Sequence, residues 1–480
     1  MSEISGHDER ERVRAEHAGG IILTPTEIAA AMGAEIVAEG EAEAPRRATI
    51  DSGETGPGDL FFGLSGQRVD GGQFAPAAIE AGAWGVVANP TRVSQLVSLP
   101  GEDRGEGAAG AWVFAAPDPL SALQGLAREW RRRLGARVVG ITGSVGKTSV
   151  KDIARALLPG RVHANRENLN TEIGLPLTIL EAAGETELLV LEMAMRGAGQ
   201  IAELAAIAEP QVAVITNVGP VHVELLGSIE AIAAAKAEVL AALPEDGTAV
   251  VPAVAAELEP HLGAAPRLLR FGAGGDVAAL ERRVEEGVTE ALVEAPAGRQ
   301  LFHFPFAEAH NLENALAAVA VGVALGAPLA EMADRAANIG FSRFRGERLE
   351  LADGIVLVND CYNANPVSMR AALDHLVTLG EGRRIAVLGE MAELGAEAPR
   401  YHGEVAAHAR SHGVDLLIGV GAPAGAYGPD ELVADTAEAA ELLAAQLESG
   451  DTVLVKGSRS AGLEAIAAEL GQLLGVPGDG

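Results

Sequence analysis

The chain is 480 residues long, 48% hydrophobic and 21% charged, with a formal net charge of −31, so it is a folded protein of about three domains rather than one core or a disordered tail. The acidic balance argues against nucleic acid or an anionic membrane as partner, and no apolar run approaches the ~20 residues needed to cross a bilayer. The polar start "MSEISGHDERERVRAEHAGG" lacks the apolar stretch of a secretory signal and the lone cysteine, Cys361, cannot build a disulfide framework, so a cytoplasmic monomer without membrane insertion is expected.

Residues 1–20 read as a flexible charged lead. From "TPTEIAAAMG" to about residue 135 the pieces are short: "GDLFFGL" and "WGVVA" are strand-like, "FAPAAIEAGA" between them is helical, and "GEDRGEGAAGA" is a loop. From residue 136 the apolar runs "RVVGIT", "ELLVLEMA", "VAVITNV" and "TAVVPA" alternate with alanine-rich helices. A second series follows from residue 344, with "GIVLVND", "RRIAVLGEM", "VDLLIGVG" and "DTVLVKGS". That alternation predicts parallel sheets covered by helices. The expected fold is α/β in three domains: a small α/β domain at 21–135, a central P-loop-like parallel sheet with helices on both faces at 136–343, and a Rossmann-like domain at 344–480.

Only four of the 36 basic residues are lysines, namely Lys147, Lys151, Lys236 and Lys456. Lysine differs from arginine in that its amine can lose its proton and act as a nucleophile, so each surviving lysine marks a place where arginine would not serve. Lys147 lies in "VVGITGSVGKTSVKD", where a strand turns into a helix. Free N–H groups and the helix dipole favour phosphate there, with Lys147 reaching the β/γ-phosphates and the Thr148 hydroxyl ligating Mg²⁺. The spacing is unusual, since Ile141 occupies the first glycine position of G-x-x-x-x-G-K-[ST]. An ordinary glycine-rich turn is the alternative. Glu192 ends the strand in "LVLEMA" and could complete a Mg²⁺ shell, or could be a solvated strand-end carboxylate. "VAVITNVGPVHVELLGSIEAIAAAKAEVL" carries His222 and, in an alanine-rich helix, Lys236, for which a surface position is the alternative. Asn311 and Asn314 share one face near the start of the helix in "AHNLENALAAVAVGVALG", where amides could equally be caps. No Ser-His-Asp or Cys-His arrangement stands out, and Cys361 reads as a small packed residue.

The T-G-S-x-G-K-T form of the phosphate loop resembles the Mur ligase superfamily, and the other motifs extend that resemblance over roughly residues 45–465. It implies ATP binding through Thr142, Gly143, Ser144, Val145, Gly146, Lys147, Thr148 and Ser149. Asn311 and Asn314 would contact adenine, Asp360 the ribose, and Arg348, in an Arg-x-Glu segment with Glu350, the phosphates. Two Mg²⁺ ions are implied: one at Thr148 and Glu192, the other at His222 and a CO₂-derived carbamate on Lys236. Lys147, Glu192, His222 and Lys236 form the implied catalytic set. "YNANPVSM" resembles the branch that adds D-alanyl-D-alanine to UDP-N-acetylmuramoyl-tripeptide by way of an acyl phosphate, and "GEMAELG" and "VLVKGSRS" agree with it. The substrate-side groups implied are Ser52 in "DSGETGPGDLFFGLSGQRVDGGQF", Asn168, Asn170 and Thr171 in "NLNTEIGLPLTIL", then Tyr362, Asn363, Asn365, Lys456, Ser458 and Arg459. Gly53 and Gly72 depart from the family's Asp-Ser-Arg and Asp-Gly-His, and Val145 from its polar loop residue. A sibling ligase that adds a single amino acid, and a nucleotide-binding relic, are the competing expectations.

Overall fold

The computed structural model describes residues 20–66, 68–98, 110–166 and 168–474. The expected charged lead and most of the "GEDRGEGAAGA" loop fall outside the described residues.

The first helix, Pro25–Met32, begins at a capping box in which Thr24 and Glu27 satisfy each other's backbone N–H groups. A five-stranded sheet follows, in the spatial order Glu35–Ala38, Trp112–Ala115, Gly85–Ala88, Asp59–Phe62, Arg47–Thr49. It is parallel except for its first strand. The helix Pro119–Leu134, capped by Asp118 and ended by a left-handed Gly135, ties this sheet to the next. Its Trp130 is 1% exposed and donates its indole N–H to the Ala182 carbonyl at 3.1 Å, so both units share one apolar core.

The central sheet runs Arg267–Phe271, Thr248–Pro252, Val212–Ile215, Arg137–Thr142, Leu188–Glu192, Val162–Ala164, all parallel. Its inner strands are largely apolar because both faces are covered: Leu189 and Leu191 enter one core, Leu188 and Val190 the opposite one. The uninterrupted strand–helix alternation expected after residue 136 breaks at a three-stranded antiparallel sheet, Ala278–Glu285, Val288–Ala295 and Gly298–Phe304. The last sheet runs Glu347–Glu350, Val356–Asn359, Thr452–Lys456, Arg384–Leu388, Leu416–Val420, Glu431–Val433. Only its first strand is antiparallel. The carboxyl ends of its strands Val356–Asn359 and Thr452–Lys456 and those of the central sheet line one cavity, the place where open α/β sheets bind ligands. No helix among the described residues is long and apolar enough to cross a membrane.

Candidate active site

The strand Arg137–Thr142 delivers the chain to the phosphate loop, and the helix Lys147–Leu157 leaves it. Gly143 and Gly146 both have positive φ, 149° and 82°. A Cβ on Gly143 would collide with Thr216 and one on Gly146 with the Asn314 amide, so both positions require glycine. The loop is braced from the next strand: Asn217 accepts the Val145 N–H at 2.9 Å and returns its amide to the Val145 carbonyl at 3.1 Å. Ser144 and Gly219 are linked through the serine hydroxyl. The N–H of Val145 is engaged by Asn217, whereas those of the first helical turn have no intrahelical partner and are open to a phosphate. The Lys147 ammonium folds back to the Gly143 carbonyl at 2.9 Å. Burial pushes it below the usual lysine range, opposed by Glu192 and assisted by Arg345.

Glu192 is 3% exposed, so it is no solvated strand end. Its carboxylate accepts the Thr148 hydroxyl at 2.7 Å and the Asn170 amide at 2.9 Å. A residue without motif status holds this corner. The buried Asn165 accepts the Glu192 N–H at 2.6 Å and donates to the Leu169 carbonyl at 2.5 Å. Lys151 serves the same corner by donating to the Asn165 carbonyl at 2.8 Å and pairing with Asp152 at 3.1 Å.

Lys236 is 2% exposed, which removes the surface reading, and its amine has no hydrogen bond or ion pair among the described residues. Burial, then the charge of Lys147, push it well below the usual lysine range. His222 lines the cavity within electrostatic reach of both lysines. Burial lowers its imidazole, while Glu393 raises it.

Asn311 and Asn314 also line the cavity. The helix there is capped at Glu308 without a side-chain cap, so the amides are not caps. They hydrogen-bond to each other at 3.3 Å, and Asn311 also donates to Glu308 at 3.3 Å.

From the C-terminal lobe, Asp360, Tyr362, Asn363, Asn365 and Lys456 face the same space. The Lys456 ammonium donates to the Asp360 carboxylate at 2.7 Å and the Asn363 carbonyl at 3.0 Å. The Asn365 side chain is engaged as the cap of the helix Pro366–Leu376, accepting from Val367 at 3.1 Å and Ser368 at 3.0 Å. Arg348, expected at the phosphates, is instead on an edge strand, paired with Glu350 at 3.3 Å, and does not line the cavity. The alternation of that strand turns it outward. Arg345, three residues earlier and also in an Arg-x-Glu setting, lines the cavity with its guanidinium 4.1 Å from the centre of the Tyr362 ring.

Ser144, Val145, Gly146, Ser149, Asn168 and Thr171 complete the expected residues at the cavity wall. Thr142 and Gly143 are buried beneath it. Lys236 is buried and is not among the lining residues, and besides Arg348 three more expected residues are elsewhere. Ser458 accepts the Ala392 N–H at 2.9 Å, Arg459 pairs with Glu464 at 3.1 Å, and Ser52 belongs to the N-terminal sheet unit. Of the two glycine departures, Gly53 has room for a side chain, since a Cβ would meet only Asp51 at 3.3 Å. At Gly72 the space is filled by the stem of Arg92, 2.8 Å from where a Cβ would be, and Arg92 pairs with Asp70 at 2.8 Å.

The cavity has a volume of about 880 Å³, and it brings a phosphate loop, a carboxylate corner and a cationic second lobe together, the arrangement of a P-loop nucleotide enzyme. Residues 46–130 match the model of the Mur ligase family, catalytic domain, residues 141–322 that of the Mur ligase middle domain, and residues 344–459 that of the Mur ligase, glutamate ligase domain. The UDP-N-acetylmuramoyl-tripeptide--D-alanyl-D-alanine ligase of Synechocystis sp. is 37% identical over 429 residues, covering 86% of this chain and 89% of the relative. A crystal structure of MurF from Acinetobacter baumannii superposes with a TM-score of 0.84 at 28% identity, covering 94% of this chain and 98% of that one. MurF from Thermotoga maritima in complex with ADP gives 0.77 at 30% identity, covering 89% and 97%. The chain therefore belongs to the Mur ligase family, in its D-alanyl-D-alanine-adding branch, MurF.

Proposed function

We infer that this protein is an ATP-dependent ligase that adds D-alanyl-D-alanine to UDP-N-acetylmuramoyl-tripeptide during peptidoglycan precursor synthesis. The observation that carries the reading is the cavity itself, where Lys147, Thr148 and Glu192 on one lobe face Arg345, Asp360 and Lys456 on the other. A carboxylate is a poor electrophile. Its oxygen attacks the γ-phosphorus of ATP, ADP leaves, and the dipeptide amine then attacks the acyl carbon with phosphate as leaving group. Phosphoryl transfer of this kind needs alignment and charge neutralisation rather than a protein nucleophile, which fits a site of lysine, arginine and helix N-terminus. Docking of the second lobe shields the acyl phosphate from water.

The side chains suit two Mg²⁺ ions, Thr148 and Glu192 holding one, His222 and a carbamate on Lys236 the other. Bound there, the ions would neutralise the charge that builds on the phosphates. The fit rests on the Glu192 carboxylate aimed at the Thr148 hydroxyl and on a buried lysine amine that has no anion partner among the described residues and is pushed toward its neutral form, the form that reacts with CO₂. Asn311 and Asn314 suit adenine through paired amide donors and acceptors, and Asp360 suits ribose. Domain boundaries at 21–135, 136–343 and 344–480 go with this assignment, as does a monomer acting in the cytoplasm.

The test is phosphate release with the UDP-tripeptide present, comparing D-alanyl-D-alanine with single amino acids. Dipeptide-dependent release, reduced at least 100-fold in Lys236→Arg and partly restored by small carboxylates in Lys236→Ala, is the expected result. Release driven by a single amino acid would move the protein to a sibling ligase. No release with any acceptor would refute the ligase reading.

A further inference from the structure

Two of the few non-glycine residues with positive φ meet across the cleft. His222 (φ 56°) starts the short helix Val223–Leu226 on the central lobe, and Glu393 (φ 61°) belongs to the loop after the strand Arg384–Leu388 on the C-terminal lobe. The His222 Nδ1 and a Glu393 carboxylate oxygen are in hydrogen-bond contact. The other carboxylate oxygen faces Arg196 at 3.5 Å, and the Glu224 N–H points to the Glu393 carbonyl at 3.4 Å. Left-handed backbone at such residues is strained and persists where surrounding structure holds it. The support for the Glu393 loop is specific. Ser458 accepts the Ala392 N–H at 2.9 Å and gives its own N–H to the Glu390 carbonyl at 2.9 Å. The buried His402 accepts the Met391 N–H at 3.1 Å through Nε2, its Nδ1 being engaged with the Ala398 carbonyl at 2.6 Å. The loop is thus a stiff arm rooted beside Lys456, itself tied to Asp360.

We propose that Glu393 is a positioning residue that couples docking of the C-terminal lobe to the state of His222. Its carboxylate takes the Nδ1–H, which makes Nδ1 the protonated nitrogen and leaves the Nε2 lone pair free for the cavity. Free histidine favours the opposite tautomer, so the imidazole is set for a ligand only when the second lobe is seated. Arg196 orients the carboxylate from the central side. The idea rests on the reading of His222 as a ligand-binding group in the proposed ligase.

Two readouts separate the proposal from that reading. In metal-free protein at alkaline pH, selective ¹⁵N-histidine labelling with long-range ¹H–¹⁵N correlation should show His222 as the Nδ1–H tautomer in wild type and as Nε2–H in Glu393→Ala. In turnover, Glu393→Ala should lower kcat by about 10- to 100-fold, the range for partners of metal-bound histidines, with KM for ATP changed less than about threefold. Glu393→Gln, whose amide oxygen still accepts, should recover part of the loss. Glu393→Ala added to His222→Ala should cost nothing further. An unchanged tautomer, or the same loss in the His222→Ala background, would overturn the proposal. Absence of dipeptide-dependent turnover in wild type would sink the ligase reading while leaving the tautomer result to decide this one.

Discussion

Asn165→Ala is the sharpest probe of how the carboxylate corner is held. The residue is 3% exposed, and its amide accepts the Glu192 N–H at 2.6 Å while donating to the carbonyls of Leu169 at 2.5 Å and Glu192 at 3.3 Å. Truncation leaves a buried N–H and at least one buried carbonyl unpaired. At about 1–3 kcal/mol each, the central lobe should lose roughly 2–6 kcal/mol. Glu192 keeps its strand register but loses the anchor that points its carboxylate at Thr148, so binding of magnesium–ADP should weaken at least tenfold. Urea unfolding of the full chain, followed by far-UV circular dichroism, gives the first quantity, and titration calorimetry gives the second. If the variant is too unstable to purify, Asn165→Ser, which retains a hydroxyl, should fall between it and wild type. A stability change below about 0.5 kcal/mol with unaltered nucleotide affinity would refute the bracing role.

Two further perturbations test other parts of the site. Gly146→Ala places a Cβ at φ 82° against the Asn314 amide, costing about 1–2 kcal/mol in backbone strain; calorimetry should show ADP affinity down at least tenfold, and wild-type affinity would contradict the tight packing of loop on helix. Glu308 and His375 join the two lobes at 3.2 Å. Burial would raise the Glu308 carboxyl, but His375 and nearby amides hold it at about 2 against an ordinary 4.5. A depressed carboxyl stabilises the fold above the unfolded value and loses that contribution as pH falls from about 4.5 to 2, up to roughly 3 kcal/mol. The stability gap between wild type and Glu308→Gln should therefore shrink across that window, and a gap independent of pH would argue against the pair.

Much of this architecture is legible residue by residue. The apolar runs at 137–142, 188–192 and 212–215 become parallel strands because both faces are covered. Gly143, Gly146 and Lys147 mark the phosphate loop, since positive φ and a compact cation are needs that few residues meet. Lysine scarcity points to Lys236 and Lys456, both 2% exposed. Less visible were the strands Val162–Ala164 and Arg267–Phe271 and the antiparallel insertion at 278–304. The first is too short for a period, the second mixes arginine into an edge, and the third interrupts a pattern already established.

What the sequence alone determined was the chemistry available and the local geometry of each piece, because propensity, periodicity and loop glycines act over a few residues. What the tertiary structure decided was which pieces face one another. It put Arg345 rather than Arg348 over the cleft, made Asn165 and Asn217 the braces of the carboxylate and the phosphate loop, turned the Asn365 side chain into a helix cap, and set Glu393 against His222 from 171 residues away. Those choices depend on packing between lobes, and partners so distant along the chain leave no spacing for a sequence reading to count.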